Sequence, residues 1–337
     1  MDEPRTPAVT KDAKPPRWRA WAPYAGLLAL VALPFAAQAL GQAALTTLAT
    51  RMVILAIAAS ALNIALGLGG LVSFGHAAFY GVGAYAVGIL TTHGASGAPF
   101  LGFIPGSELL GVNLLAAMLA SGLVAGAIGA LALRTSGVQF IMITLAFAQM
   151  LFFFFVALKA YGGDDGLSMR RRNALPGLNM RDDMTFYFVS LAILAVWLGI
   201  SARLFHSRFG LLLGGIRQSE RRMQAIGVST VRTRWLAFVL SGMGTGLAGG
   251  LMAVFGRFVS PDMMHWTQSG ELLIMVVLGG AGTIFGPVLG AFALIGLETL
   301  LAGWTEHWQV ILGPALVLMA LTFRGGLARL GRRREGP

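Results

Sequence analysis

Long apolar runs separated by short polar breaks organise this chain from residue 22 onward. They lie near 22–40, 45–67, 71–92, 109–133, 138–159, 185–205, 235–256, 269–283, 287–303 and 310–323. A helix needs about 20 apolar residues to cross a bilayer's hydrocarbon core, and most of these runs have that length. The last three are shorter. The pattern therefore predicts an all-α fold, a polytopic transmembrane helical bundle of about eight to ten spans with broken or re-entrant segments. A transmembrane barrel is excluded, because it needs short alternating segments instead of continuous runs. Residues 22–40 read as the first helix and not as a signal peptide, whose apolar core is normally about 7–15 residues long.

Composition supports this picture. Of 337 residues, 56% are hydrophobic and 12% charged, about half the charge of an ordinary soluble domain. With no cysteine, disulfides, thiolate metal sites and cysteine nucleophiles are out. The net charge of +11 raises the question of nucleic acid, and the placement of the charges answers it. With the N-terminus cytoplasmic, ten spans return the C-terminus to the same side. Eighteen of the 25 Lys and Arg then face the cytoplasm: five in the tail, Arg134, seven from Arg203 to Arg234 and five from Arg324 to Arg334. That is the positive-inside bias of a membrane protein. The other seven are offset outside by Glu108, Asp164, Asp165, Asp182, Asp183, Asp262 and Glu306. Membrane lipid, and no nucleic acid, is the partner this charge implies. Trp304 and Trp308 fall where an outer interfacial belt belongs. The chain divides into a disordered basic tail (1–21), a membrane domain (22–323) and a second basic tail (324–337). Its longer polar loops, 160–184 outside and 206–234 inside, are too short to hold a soluble catalytic domain.

Glycine is abundant, with 46 residues. Gly122/Gly126, Gly242/Gly246/Gly250 and Gly282/Gly286/Gly290 have the small-xxx-small spacing that lets helix backbones approach, so each row reads as a packing face. Residues 67–88 are too rich in glycine for a stable plain helix, since each Gly costs nearly 1 kcal/mol against Ala. An unwound stretch at membrane depth lines a cavity or packs in protein. Ser73 and His76 lie there and Asn63 just before it, and the three read equally as part of a translocation path or as an interhelical hydrogen-bond cluster. A nucleophile–base role for Ser73 and His76 lacks an orienting third group. Glu271 and Glu298 are the carboxylates inside predicted helices. Both lie within a turn or so of plausible helix ends, so reaching the interface competes with a functional role. Of the two, Glu271 is the candidate path residue and the one serious ion-coupling group of a stand-alone carrier.

In the cytoplasmic loop, Gly215 to Ile226 predicts a short amphipathic helix. Ile216, Met223 and Ile226 share a face, Arg217, Gln218, Arg221, Arg222 and Gln224 cover the rest, and Gly227 stops it. Such a helix either lies on anionic lipid or docks into a groove of a soluble partner. No G-x-x-x-x-G-K-[ST] phosphate loop and no H-E-x-x-H zinc motif occur. The chain therefore does not hydrolyse ATP by that route and reads as a passive conduit that needs an engine elsewhere, not as an enzyme.

Several ordered blocks carry a resemblance: LNIALGLGGLVSFGHAAFYGVGAY (62–85), SGVQFIMITLAFAQM (136–150), GGDDGL (162–167), SRFGLLLGGIRQSERRMQAIGV (207–228), SGMGTGLAGGLMA (241–253) and SPDMMHWTQSGELLIMVVLGGAGTIFGPVLGA (260–291). From about Ala44 to Leu321 the chain resembles the LivM-like membrane permeases of bacterial high-affinity branched-chain amino-acid ABC importers. The resemblance implies a multi-pass permease in the bacterial inner membrane, both termini cytoplasmic. It would pair with a second homologous permease, two cytoplasmic ATPase subunits and a periplasmic or extracellular substrate-binding protein. ATP and Mg would bind the ATPases, with no cofactor on this chain. Loop 206–234 corresponds to the family's ATPase-coupling loop. Arg217, Glu220, Arg221, Met223, Ile226 and Gly227 are its candidate contacts, and Glu220 and Gly227 match the family's acidic and glycine positions. Arg221 and Arg222 depart from the small residues usual after the acid. Asn63, Ser73, His76 and Glu271 are the candidate path residues. The implied cargo is branched-chain or other hydrophobic amino acids, with urea or short amides as the alternative.

Overall fold

The computed structural model describes residues 30–35, 38, 41, 43–97, 99–100, 102, 104–304, 307, 310–314 and 326–327. The first basic tail, the second apart from residues 326–327, and Trp308 lie outside the described residues. Among the described residues, ten helices with both ends described carry the fold: α1 (Ala43–Asn63), α2 (His76–Ser96), α3 (Leu110–Ala132), α4 (Val138–Ala157), α5 (Asp183–His206), α6 (Arg208–Gln218), α7 (Glu220–Ala225), α8 (Thr230–Gly256), α9 (Trp266–Gly279) and α10 (Gly286–Ala302). Residues 30–35 and 310–314 are also helical. Among the described residues, five helices are long and apolar enough to cross a membrane: α1 with its extension to Leu68, α3, α4, α5 and α8. The one ladder among the described residues is β1 (Leu167–Ser168) antiparallel to β2 (Phe258–Val259), which joins two loops at the end of the bundle opposite α6 and α7.

Polar residues set the helix limits. Asp182 caps α5, its Oδ2 accepting from the Thr185 amide at 3.1 Å and the Thr185 hydroxyl at 2.8 Å. Those bonds hold the Asp182 carboxyl below the ordinary carboxylate range. Ser207 and Ser219 cap α6 and α7 in the same manner. Pro287 sits in the first turn of α10, where a missing N–H costs nothing.

The centre of the bundle is α8, packed against α2, α3 and α1. Its Ser-Gly-Met-Gly-Thr-Gly sequence makes this possible. A Cβ on Gly242 would come 2.5 Å from Ala125 of α3, one on Gly246 would meet Ser121, and one on Gly249 would meet the Tyr80 carbonyl. The expected Gly242/Gly246/Gly250 packing face is therefore present, as is Gly122/Gly126 against Met243 and Trp235. The Gly282/Gly286/Gly290 row is corrected: Gly282 lies in a turn at φ +84°, and only Gly286 and Gly290 belong to a helix, pressed against α9. Burial separates centre from rim. Along the span of α1, 89% of residues are buried, against 17% for α4, whose Met142, Met150, Phe153 and Phe154 are exposed.

The glycine-rich stretch 67–88 is only partly interrupted. Residues 69–75 leave the helix, but α2 runs unbroken through Gly81, Gly83 and Gly88. Tertiary packing overrides their low propensity, because Gly83 lies against the Gly246 backbone where any side chain would collide.

Candidate functional site

The first interruption starts where α1 loosens into a π-helical turn, Ile64–Leu68. Gly70, at φ +67°, swings the chain so that the Leu71 amide returns to the Ala65 carbonyl at 3.0 Å. Residues 69–75 carry no regular ladder, and side-chain oxygens replace it. Ser73 Oγ accepts from the Gly75 amide at 3.1 Å. Ser269 of α9 accepts from the Ala77 amide at 2.8 Å and donates to the Phe74 carbonyl at 2.7 Å. In hydrocarbon an unpaired backbone group costs several kcal/mol, so these hydroxyls are what makes the break tenable. Helix α2 begins deep in the bundle: His76 lies beside Ser241, eleven residues into α8, or about 16 Å at 1.5 Å per residue.

His76 is wholly buried, its Nε2 2.8 Å from Ser241 Oγ. Ser241 donates its proton to the Ala61 carbonyl at 2.8 Å, so it can only accept from the ring, and Nε2 carries the hydrogen. This relay ties α2, α8 and α1 together. The Ser73 hydroxyl bonds the Gly75 amide and not the imidazole, so the two side chains do not form a nucleophile–base pair. Ser241 and Ser269 were not singled out from the sequence; hydroxyls inside apolar helices were the available signal.

The second interruption, residues 280–285, repeats the first. Thr283 Oγ1 accepts from the Gly286 amide at 3.1 Å, as Ser73 does for Gly75. Written out, GGLVSFG (69–75) and GGAGTIFG (279–286) share Gly-Gly, a hydroxyl residue and the closing glycine. That self-similarity could have located the second break. Asn63 joins the two, its Nδ2 donating to the Thr283 carbonyl at 2.8 Å and its Oδ1 accepting from the Gly282 amide at 2.9 Å. A Cβ on Gly67 would come 2.5 Å from the Gly282 nitrogen, so the two backbones touch.

The loop side chain Arg217 reaches this junction. Its Nη1 donates to the Gly67 carbonyl, and its Cγ lies 3.1 Å from where a Cβ on Gly70 would stand. The expected single helix Gly215–Ile226 is corrected to two helices. Ser219 is extended at φ −159° and starts α7 afresh, and α6 begins earlier, at Arg208. As a result Ile216 is buried, Met223 folds against Gly215, and Ile226 is 73% exposed, so the three do not share a face. Glu220 bonds within the chain: Oε2 pairs with Arg234 at 2.8 Å and Oε1 accepts from Thr230 at 3.0 Å. Gln224 donates to the same Thr230 hydroxyl at 3.2 Å, which pins α7 to the first turn of α8. Gly227, at φ +85°, ends α7 as expected. Arg221 and Arg222 are exposed, as is Leu211 of α6.

Glu271 stands apart from the junction. It is half-buried on α9, bonded by Gln268 at 2.9 Å, and within electrostatic reach of Glu298 and Arg51. Those two form an ion pair between α10 and α1 at 3.6 Å. The structure thus gathers Asn63 and Arg217 at one point, places Ser73 and His76 along the first break, and puts Glu271 in a separate charged group.

Residues 44–321 match the family model described as branched-chain amino acid transport system / permease component. The chain is 27% identical over 313 residues to the high-affinity branched-chain amino acid transport system permease protein LivM of Salmonella typhimurium, covering 85% of this chain and 70% of that one. To LivM of Escherichia coli it is 27% identical over 334 residues, covering 91% and 75%. A shorter similarity, 28% over 150 residues, covers 42% of this chain and 44% of the autoinducer 2 import system permease protein LsrC of Klebsiella pneumoniae. No solved structure matches. The family match spans the core α1, α2, α3 and α8 and both interrupted segments, and on it the chain belongs to the permease components of branched-chain amino acid transport systems.

Proposed function

We propose that this chain is one half of the translocation path of an ATP-driven importer of branched-chain or other hydrophobic amino acids. It pairs with a second homologous permease, two cytoplasmic ATPase subunits that bind ATP and Mg, and a soluble binding protein outside a bacterial inner membrane. The path runs along the interrupted segments, where helix ends and backbone groups meet at membrane depth. Helices α6 and α7 form the ATPase-facing knob, presenting Leu211, Ile226, Arg221 and Arg222. The observation that carries this reading is the Arg217 bond to Gly67, which joins that knob to both breaks through Asn63 and Gly282. A push on α6 is then felt where the membrane helices are broken, the mechanical requirement of alternating access. Glu220 acts by fixing α7 on α8, and Gly227 by ending it.

The test is purification of the tagged chain from its native membrane in mild detergent, followed by reconstitution with ATP inside liposomes. A second permease and ATPases should co-purify, and labelled leucine should be taken up only with ATP and the binding protein. A chain that purifies alone and moves leucine without ATP refutes the proposal and returns attention to Glu271.

A further inference from the structure

At the end of the bundle opposite α6 and α7, the loop around residues 168–173 folds over the last turns of α2 and encloses a cleft of about 420 Å³, within the range of small-molecule sites. Glu108, Arg170, Arg171 and Asn173 supply its polar wall, and Ala95 and Met169 an apolar one.

The bonding around Asn173 fixes which of its atoms is spare. Its side chain is 1% exposed, and its Nδ2 donates to Thr91 Oγ1 at 2.9 Å. Thr91 gives its single proton to the Val87 carbonyl at 2.7 Å, so it can only accept from Asn173. The amide nitrogen must therefore face Thr91, and Oδ1 must face away. That buried oxygen has no protein partner. The second lone pair of Thr91 is taken by Asn113 Nδ2 at 3.1 Å, so no rotation of the hydroxyl relieves it. Buried amide oxygens are normally bonded. Because Asn173 lines the cleft, its oxygen is a candidate acceptor for a donor held there, while the neighbouring Asn113 Oδ1, likewise unpartnered, is not on the cleft wall.

The charged residues of the cleft divide clearly. Arg172 is engaged, pairing with Asp183 at 2.7 Å and lying over the Phe186 ring at 5.0 Å. Among the described residues, the side chains of Arg170, Arg171 and Glu108 have no hydrogen-bond or ion-pair partner. The cleft thus offers two free guanidiniums, one free carboxylate and one buried acceptor. A bare carboxylate would leave Glu108 and Asn173 Oδ1 unanswered, and a bare amine would leave both arginines. A zwitterion answers all of them. Its carboxylate suits the planar guanidinium fork, and its ammonium has three protons for Glu108 and Asn173 Oδ1. An aliphatic side chain would lie against Met169 and Ala95.

We propose that this cleft binds the main-chain zwitterion of a free α-amino acid, so that cargo is recognised on this chain before it enters the path. The proposal rests on the amino-acid transport reading for the identity of the ligand.

The test uses the complete complex in lipid nanodiscs, without ATP and without binding protein, and measures equilibrium binding of labelled leucine. Binding should saturate and be competed by leucine, but by leucinamide or 4-methylpentanoate only at concentrations at least tenfold higher. Glu108→Gln and the double variant Arg170→Gln/Arg171→Gln should each raise Kd at least tenfold, with the unfolding temperature unchanged, since none of these side chains has a partner to lose. Absence of saturable leucine binding overturns the proposal. So does leucine binding that these variants leave intact while docking of the binding protein weakens, which would make the cleft a seat for a protein carboxylate. ATP-driven leucine uptake by the same preparation separates the two readings. If uptake proceeds but the cleft does not bind leucine, only the cleft assignment falls. If no amino acid is taken up, the importer reading falls.

Discussion

Replacing Arg217 by Met tests the link between the loop helices and the broken spans most directly. Methionine keeps a flexible stem over Gly70 and removes the guanidinium that donates to Gly67. A hydrogen bond from a charged donor contributes about 1.5–3 kcal/mol. Arg217 is exposed to solvent on one side, which places its bond at the low end, about 1.5 kcal/mol, or roughly tenfold in an equilibrium constant. If that bond holds the two breaks in register with α6, its loss shifts the balance between path conformations by the same factor. The assay is simultaneous measurement of leucine uptake and phosphate release by the reconstituted complex. The Arg217→Met complex should assemble with normal subunit composition and still hydrolyse ATP, while leucine moved per ATP falls about tenfold. Arg217→Lys, which keeps one charged donor on a stem of similar length, should recover part of the loss. A ratio for Arg217→Met within twofold of the natural protein would refute the reasoning. Loss of the ATPase subunits from the complex would refute it differently, by making Arg217 a docking contact only.

Asn63→Leu leaves the Gly282 amide and the Thr283 carbonyl without their bonds; at about 1–3 kcal/mol each, a large drop in unfolding temperature in detergent is expected. Gly83→Val drives a side chain into the Gly246 backbone, and fluorescence-detected size exclusion should show loss of the monodisperse peak. Gly227→Ala forces a left-handed residue to carry a Cβ, costing about 1 kcal/mol or more, with weaker retention of ATPase subunits on purification. Asp182→Ala removes the cap of α5, worth about 0.5–2 kcal/mol. Because the bonds from Thr185 lower the folded-state pKa of Asp182, this stabilisation is complete above the ordinary carboxylate range and is lost as pH falls through the lowered value. Unfolding temperatures of the two proteins should differ at pH 7 and converge as the carboxyl becomes protonated.

The apolar runs revealed the helices because bilayer length and composition act on each segment separately, without reference to its neighbours. The glycine faces of α8 and α3 were readable for the same reason: four-residue spacing is local. The split of the loop helix at Ser219 was not, since the 3.6-residue pattern continues across it. What decides there is the tertiary pull of Glu220 and Gln224 on Thr230, ten and six residues away. The path of residues 67–88 was readable only in part. Glycine content signals that a helix is costly, but only the approach of Gly246 to Gly83 says where the cost is accepted and where the chain breaks instead.

The junction itself lay beyond reading from one chain. Asn63 and Gly282 are separated by 219 positions and Arg217 and Gly67 by 150, and no periodicity connects them. Each was visible singly: an amide inside an apolar run, a glycine in a broken stretch, an arginine on a basic loop. Their convergence follows from a requirement that hydrocarbon imposes on every interrupted helix, that its freed amides and carbonyls find partners inside the protein. A break at one point therefore calls for a donor and an acceptor from elsewhere, and two breaks that lie side by side satisfy each other through one amide side chain. Arg217 supplies a donor to a carbonyl that the first break frees, and it comes from outside the membrane spans. A loop side chain that completes the bonding of an interrupted helix gives the loop mechanical access to the bundle interior, which an arginine held only on lipid headgroups would lack.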